Sequence, residues 1–154
     1  MTTGSLGSGE PLDPDIGPRH HWAVGAGLVA AGGSVGTLAR LLVSHAVPRV
    51  GGVPVDILLA NLSGAYLLGL LLSVLLNRGP AIGPRRNLRL LFGSGVLGGF
   101  TTYSALAVDT AGLLDAGQTY EGVGYALFTV VVGAILSWMG LLTGQAVSGH
   151  GRPE

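Results

Sequence analysis

The sequence predicts an all-α membrane protein of four transmembrane helices, the third of them broken at mid-membrane. Three observations predict it. Apolar residues make up 48% of the 154 and charged residues only 10%, with a mean hydropathy of +0.58, a combination foreign to soluble domains. Four stretches, 22–39, 57–76, 90–108 and 122–149, carry no charge, and each is about the length needed to cross a ~30 Å hydrocarbon core as a helix. The third stretch contains Gly98-Gly99-Phe100-Thr101-Thr102-Tyr103-Ser104, where paired glycines and two β-branched hydroxyl residues weaken a helix.

Taken in order, residues 1–21 are rich in Gly, Pro, Ser and Asp and read as a disordered tail. They lack the basic n-region of a signal peptide, so the first helix, about 22–43, is expected to be retained. Within it, Gly25-Ala26-Gly27-Leu28-Val29-Ala30 satisfies a dinucleotide-binding pattern letter for letter. No strand precedes it and no acidic residue follows about 20 positions on, so a nucleotide site is not expected. Helix 2 spans about 55–76 and opens on Asp56, a residue suited to the positive end of a helix. Helix 3 spans about 88–108, helix 4 about 122–147, and 150–154 form a short tail. The 22–149 bundle leaves no room for a soluble catalytic domain, so no enzyme is expected. Absence of cysteine removes disulfides, thiol catalysis and soft-metal sites, and a net charge of zero argues against nucleic acid as a partner.

The chain has no lysine, so orientation rests on arginines. Arg19, Arg78, Arg85, Arg86, Arg89 and Arg152 share the side of the termini and the loop between helices 2 and 3. Arg49, with Arg40 at the end of helix 1, occupies the other side, where Asp109, Asp115 and Glu121 also lie. The positive-inside rule then predicts a multi-pass protein of the inner cell membrane, surrounded by lipid, with both termini cytoplasmic. Small residues recur at i, i+4 in Gly32/Gly36, Ala60/Gly64, Gly95/Gly99 and Gly140/Gly144, a spacing that lets helix backbones approach closely. Such faces serve packing within one bundle; their number also suggests a dimer or larger assembly.

A break at mid-membrane frees carbonyls that lipid cannot satisfy, which is how transporters and channels hold small cations. A tolerated kink, with Thr101 and Thr102 bonding back to their own helix, is the plain alternative. Asn61 is either glue between helices or part of a polar path. Tyr125, Thr129, Gly133 and Ser137 form a stripe that lines a conduit or simply packs, and Arg40 either reaches the headgroups or serves a site. Together these groups are donors, with no carboxylate well inside a span, so a small anion suits them better than a proton-coupled cation. Hydroxyls, one amide and aromatic ring edges present positive partial charge to an anion whose unpaired burial is costly.

From about Trp22 to Gln145 the chain resembles the Fluc (CrcB) family of fluoride channels. The segments that carry the resemblance are Gly32-Gly33-Ser34-Val35-Gly36 with Arg40, Ala60-Asn61-Leu62-Ser63-Gly64, Gly98-Gly99-Phe100-Thr101-Thr102-Tyr103-Ser104, and Tyr125 with Thr129 and Gly133. The resemblance implies an antiparallel dimer that lets cytoplasmic fluoride leave passively, with pores along the subunit boundary. It implies a structural sodium ion (Na+) on the dimer axis, held by the carbonyls of Gly98 and Thr101. It further implies Asn61 as the pore amide, Arg40 near a pore mouth, and Tyr103, Ser104, Tyr125 and Thr129 along the fluoride path. The chain departs from the family pattern where a second aromatic ring is replaced by Leu106, a threonine by Ile57 and a glycine by Asp56. The arginine bias and the altered ring positions suggest a partner that is a homologous subunit of opposite orientation. Two other classes share the architecture: a non-conducting assembly or scaffold subunit, and a small multidrug-type antiporter, which needs a membrane-embedded acid.

Overall fold

In the computed structural model, residues 19–77, 79 and 82–149 are described. Residues 1–18 of the tail assigned to 1–21, the tail assigned to 150–154, and Arg78 and Arg152 of the arginine pattern lie outside them. Six α-helices and one π-helical segment follow in the order α1 (Arg19–Ala46), α2 (Val55–Asn77), α3 (Pro84–Leu88), the π segment (Arg89–Leu97), α4 (Gly98–Phe100), α5 (Tyr103–Asp115) and α6 (Thr119–Gly149). Four stretches are long and apolar enough to cross a membrane: Trp22–Ala46, Val55–Asn77, Pro84–Asp115 and Thr119–Ser148. The expected all-helical fold of four spans is therefore present. The dinucleotide pattern lies inside α1, with no strand before it among the described residues.

Helix ends extend past the uncharged runs, because a helix may continue beyond the hydrocarbon where polar side chains are solvated. Thus α1 begins at Arg19, and residues 19–21, assigned to the tail by composition, form its first turn. The turn between α5 and α6 is closed by a Schellman pattern, Gln118 N–H donating to Leu113 O (2.9 Å) and Gly117 N–H to Leu114 O (3.0 Å). Gly117 has φ +78 there, a conformation in which a side chain would be strained.

Two close crossings organise the bundle, α1 against the π segment and α4, and α2 against α6. Lipid tails are as apolar as leucine, so this packing depends on backbone approach rather than on the hydrophobic effect. A Cβ added at Gly32 would strike the Leu91 carbonyl, one at Gly36 the Val96 carbonyl, and one at Gly99 the Gly33 carbonyl. In the second crossing, a Cβ at Gly69 would strike the Ser137 carbonyl, and one at Gly140 the Tyr66 carbonyl. Gly64 lies against the Thr101 methyl, and Gly144 against the side chain of Ser73. The four small-residue pairs are thus occupied inside the subunit. Each glycine of those pairs meets a neighbouring backbone or side chain, so packing within one bundle uses all four pairs. Large apolar side chains such as Trp22, Leu42 and Trp138 point outward, as lipid requires.

The nine-residue π segment was not foreseen. Its wider turns, i→i+5, coincide with Gly93-Ser94-Gly95, where two residues without Cβ remove the crowding such a turn brings, and they let Gly95 and Gly99 both meet α1. Beyond it α4 stops at Phe100 and α5 starts at Tyr103, with Thr101 (φ −80, ψ 154) and Thr102 (φ −152, ψ 116) extended between them.

A Gly32→Val substitution is expected to destabilise the protein by about 1–3 kcal/mol or to prevent folding, since neither backbone at the crossing can yield. Gly27→Ala, where nothing lies within 4 Å of an added Cβ, is expected to leave stability unchanged. Thermal unfolding in detergent, followed by loss of a monodisperse chromatographic peak, distinguishes them.

Candidate functional site

Two extended residues inside an apolar span strand their backbone groups unless side chains answer them. Asn61, nearly two turns into α2, answers both sides of one residue. Its Oδ1 accepts from Thr102 N–H at 2.7 Å, and its Nδ2 donates to Thr102 O at 3.1 Å. The contact joins residues 41 apart in sequence and is partly buried. Thr102 in turn caps α5, its Oγ accepting from Ala105 N–H at 3.2 Å and lying 3.1 Å from Ser104 Oγ. Thr101 turns back, its N–H and Oγ both donating to Leu97 O, at 2.9 and 2.8 Å.

These bonds redirect donors. In an unbroken α-helix, Gly98 O would accept from the amide of residue 102 and Thr101 O from that of residue 105. Here the first amide donates to Asn61 and the second to the Thr102 hydroxyl. The neighbouring Gly99 O is treated differently: Thr37 Oγ and Arg40 Nε donate to it at 3.4 and 3.5 Å, both long. Arg40 is half-buried and reaches back along its own span to Gly99. Thr37 was not singled out from the sequence. Its signal is position, three residues before Arg40 on one helix face.

Asn61, Thr102 and Ser104 are gathered by direct bonds, Thr101 lies between them and the preceding turn, bonded to Leu97 O, and Arg40 approaches through Gly99. Tyr103 is not among them: it is 80% exposed, and Gly98 and Ser104 are exposed as well. Leu106, three residues on, is buried with Leu113 and Tyr125. The two positions thus face different ways in this chain.

The α6 stripe faces inward. Tyr125 and Thr129 are buried, Gly133 lies against Leu62, and Ser137 meets Gly69. Thr129 Oγ donates to Tyr125 O at 2.7 Å, so its proton is committed to its own helix. The Tyr125 hydroxyl is buried with no hydrogen-bond partner among the described residues, and so is Asp56 Oδ1 in the first turn of α2. Asp109 of α5 pairs with Arg49 at 2.8 Å, closing the loop between α1 and α2 onto the third span. No group of three or more His, Cys, Asp or Glu that could hold a metal occurs among the described residues.

Four apolar spans with polar side chains gathered around Thr101 and Thr102 define a multi-pass membrane protein whose polar chemistry lies within its spans. Residues 27–141 match the family described as CrcB-like protein, Camphor Resistance (CrcB). The chain is 48% identical over 120 residues to a protein of Leifsonia xyli subsp. xyli named Fluoride-specific ion channel FluC 2, covering 78% of this chain and 83% of that one. It is 46% identical over 124 residues to Fluoride-specific ion channel FluC 1 of Cutibacterium acnes, covering 80% and 87%. Fluoride-specific ion channel FluC of Aquifex aeolicus is 34% identical over 121 residues, covering 77% and 95%. The chain belongs to the CrcB family.

The paired bond predicts an asymmetric response to substitution. Asn61→Ala strands an amide and a carbonyl and is expected to cost about 1–3 kcal/mol for each group. Asn61→Asp keeps the acceptor for Thr102 N–H and is expected to recover part of that loss. Equilibrium unfolding in mixed micelles measures both.

Proposed function

We propose that this chain is one subunit of a fluoride channel, which lets fluoride leave the cell passively and performs no chemistry on it. The names of its relatives support fluoride as the ion. The observation that carries the reading is the diversion of amides from Gly98 and Thr101 by Asn61 and Thr102. Two carbonyls without their helical donors, one on an exposed residue, cannot be left facing lipid. A hard monovalent cation and a second subunit together would satisfy them.

The helix break therefore lies at mid-membrane on the dimer surface, and the carbonyls of Gly98 and Thr101 hold a structural sodium ion shared with the partner. The donor set fits: backbone oxygens suit sodium, and neither residue brings a charge. When bound, the ion supplies a fixed positive charge that joins the two subunits. Arg40 and Thr37 hold the intervening Gly99 carbonyl, so that oxygen is kept out of the cation's reach.

Fluoride needs donors in place of water. Asn61 Nδ2 has a second N–H beyond the one given to Thr102. The first-turn amides of Tyr103 and Ser104 point along the positive end of α5, and the Ser104 hydroxyl adds another donor. The buried Tyr125 hydroxyl has its proton to give, whereas Thr129 must first release Tyr125 O. Tyr103, exposed on the subunit, becomes a pore wall only when a partner covers it. A scaffold role would leave these donors without purpose, and an antiporter lacks its acid.

Arg85, Arg86 and Arg89 at one end of the third span, against Arg49 alone beside Asp109 toward the other, support a single orientation with both termini cytoplasmic. An antiparallel pair then needs a homologous subunit of opposite bias. Fluoride efflux from liposomes, read with a fluoride electrode, tests the whole reading. Flux is expected only when the chain is reconstituted with such a homologue. A conducting dimer of this chain alone would overturn the heterodimer, and no flux in either case would overturn the channel. Single cysteines introduced at 118 are expected to label from outside only.

Within a conducting pair, Tyr125→Phe is expected to slow efflux roughly tenfold or more, the loss of one bond to a charged group. Thr129→Val is expected to change it by less than about threefold, because that hydroxyl's proton is already committed.

A further inference from the structure

At the end of the molecule remote from Asp115, a cavity of about 90 Å³ opens between the last turns of α2 and the start of the third span. Leu72, Leu75, Leu76, Gly79, Arg85 and Arg89 line it. The leucines, at i, i+3 and i+4, present one continuous apolar wall on a helix that crosses the membrane. Arg85 and Arg89 are also four apart and share a face opposite that wall. The Arg85 guanidinium lies over Gly79, where an added Cβ would come within 3.2 Å of it. Arg86 turns instead to α1, with its Nη2 near Gly25.

Neither lining arginine is paired with a carboxylate among the described residues. The ion pair found there, Arg49 with Asp109, and the remaining described acids Asp56, Asp115 and Glu121 all belong to the opposite end. Two guanidinium forks at the membrane edge above a leucine wall match one molecule, negative at its head and apolar below.

We propose that this cavity binds an anionic phospholipid, its phosphate between Arg85 and Arg89 and an acyl chain along Leu72, Leu75 and Leu76. The inference depends on the membrane spans alone and stands or falls apart from fluoride conduction. A lipid seated there ties the end of α2 to the segment leading toward Thr101, and so stiffens the approach to the site.

The test is native mass spectrometry of the full-length protein released from nanodiscs containing equal amounts of phosphatidylglycerol and phosphatidylcholine with identical acyl chains. Wild type is expected to retain phosphatidylglycerol with a preference on the order of 30-fold, two arginines acting together. Arg85→Gln with Arg89→Gln is expected to fall to near parity, and Arg86→Gln to keep the preference. Leu76→Gln, at an exposed position that folding should tolerate, is expected to weaken retention of either lipid. Equal retention in wild type, or a preference untouched by the double variant, overturns the proposal. Displacement by glycerol 3-phosphate at the same concentration as lipid would make this a phosphate site without a lipid. A preference that appears only after Asp13→Asn with Asp15→Asn would assign the cavity to the chain's own N-terminal residues. Either result overturns the proposal.

Discussion

Asn61 holds the peptide groups of Thr102 away from their own helix, and the polar chemistry of the chain depends on that hold. One carboxamide presents a donor and an acceptor at the spacing of a backbone residue, so it completes Thr102 as a neighbouring strand would. With Thr102 extended, its hydroxyl is placed to cap α5, and Ala105 N–H follows it. The carbonyls of Gly98 and Thr101 lose their helical donors as a result. A single side chain on α2 thus determines which oxygens and which amides of the third span are available. In water the same exchange would matter little, because solvent would fill every vacancy; in hydrocarbon each stranded group costs kilocalories.

The glycine crossings make this hold possible. Asn61 is short, and its reach to Thr102 depends on Gly64, one turn on, letting the Thr101 methyl lie against α2. On the other flank, Gly32, Gly36, Gly95 and Gly99 bring α1 close enough for Thr37 and Arg40 to reach Gly99 O. The break is therefore flanked from two sides, by an amide on α2 that holds Thr102 and by a hydroxyl and a guanidinium on α1 that hold Gly99. Small residues that look like generic membrane packing set the distances at the site.

Much of this could be read from the sequence, for local reasons. Span number follows from hydropathy and length, and the interruption from Gly98-Gly99 and Thr101-Thr102, because both are written in consecutive residues. The partners were not legible. A polar residue in a span announces that it needs a partner, but Asn61 and Thr102 stand 41 apart and nothing in either names the other. Thr129 reads as a pore hydroxyl, yet its proton goes to Tyr125 O, a choice between two acceptors that the sequence does not contain. The wide turns of Arg89–Leu97 escaped because π and α helices share one hydrophobic pattern over so short a length. What the paired glycines pack against was not legible either. Their spacing is the same whether the facing backbone belongs to this chain or to another.

The proposed cation at the subunit boundary depends on the Gly98 and Thr101 carbonyls, released by Asn61 and Thr102. Solid-state NMR of the assembled channel in lipid tests it most directly, with the Thr101 carbonyl read through the Thr101–Thr102 peptide as sodium is replaced by a bulky organic cation. The account predicts that the carbonyl resonances of Thr101 and Gly98 move while that of Gly99, held by Arg40 and Thr37, stays in place. Resonances of Gly98 and Thr101 that do not respond to the exchange would contradict it.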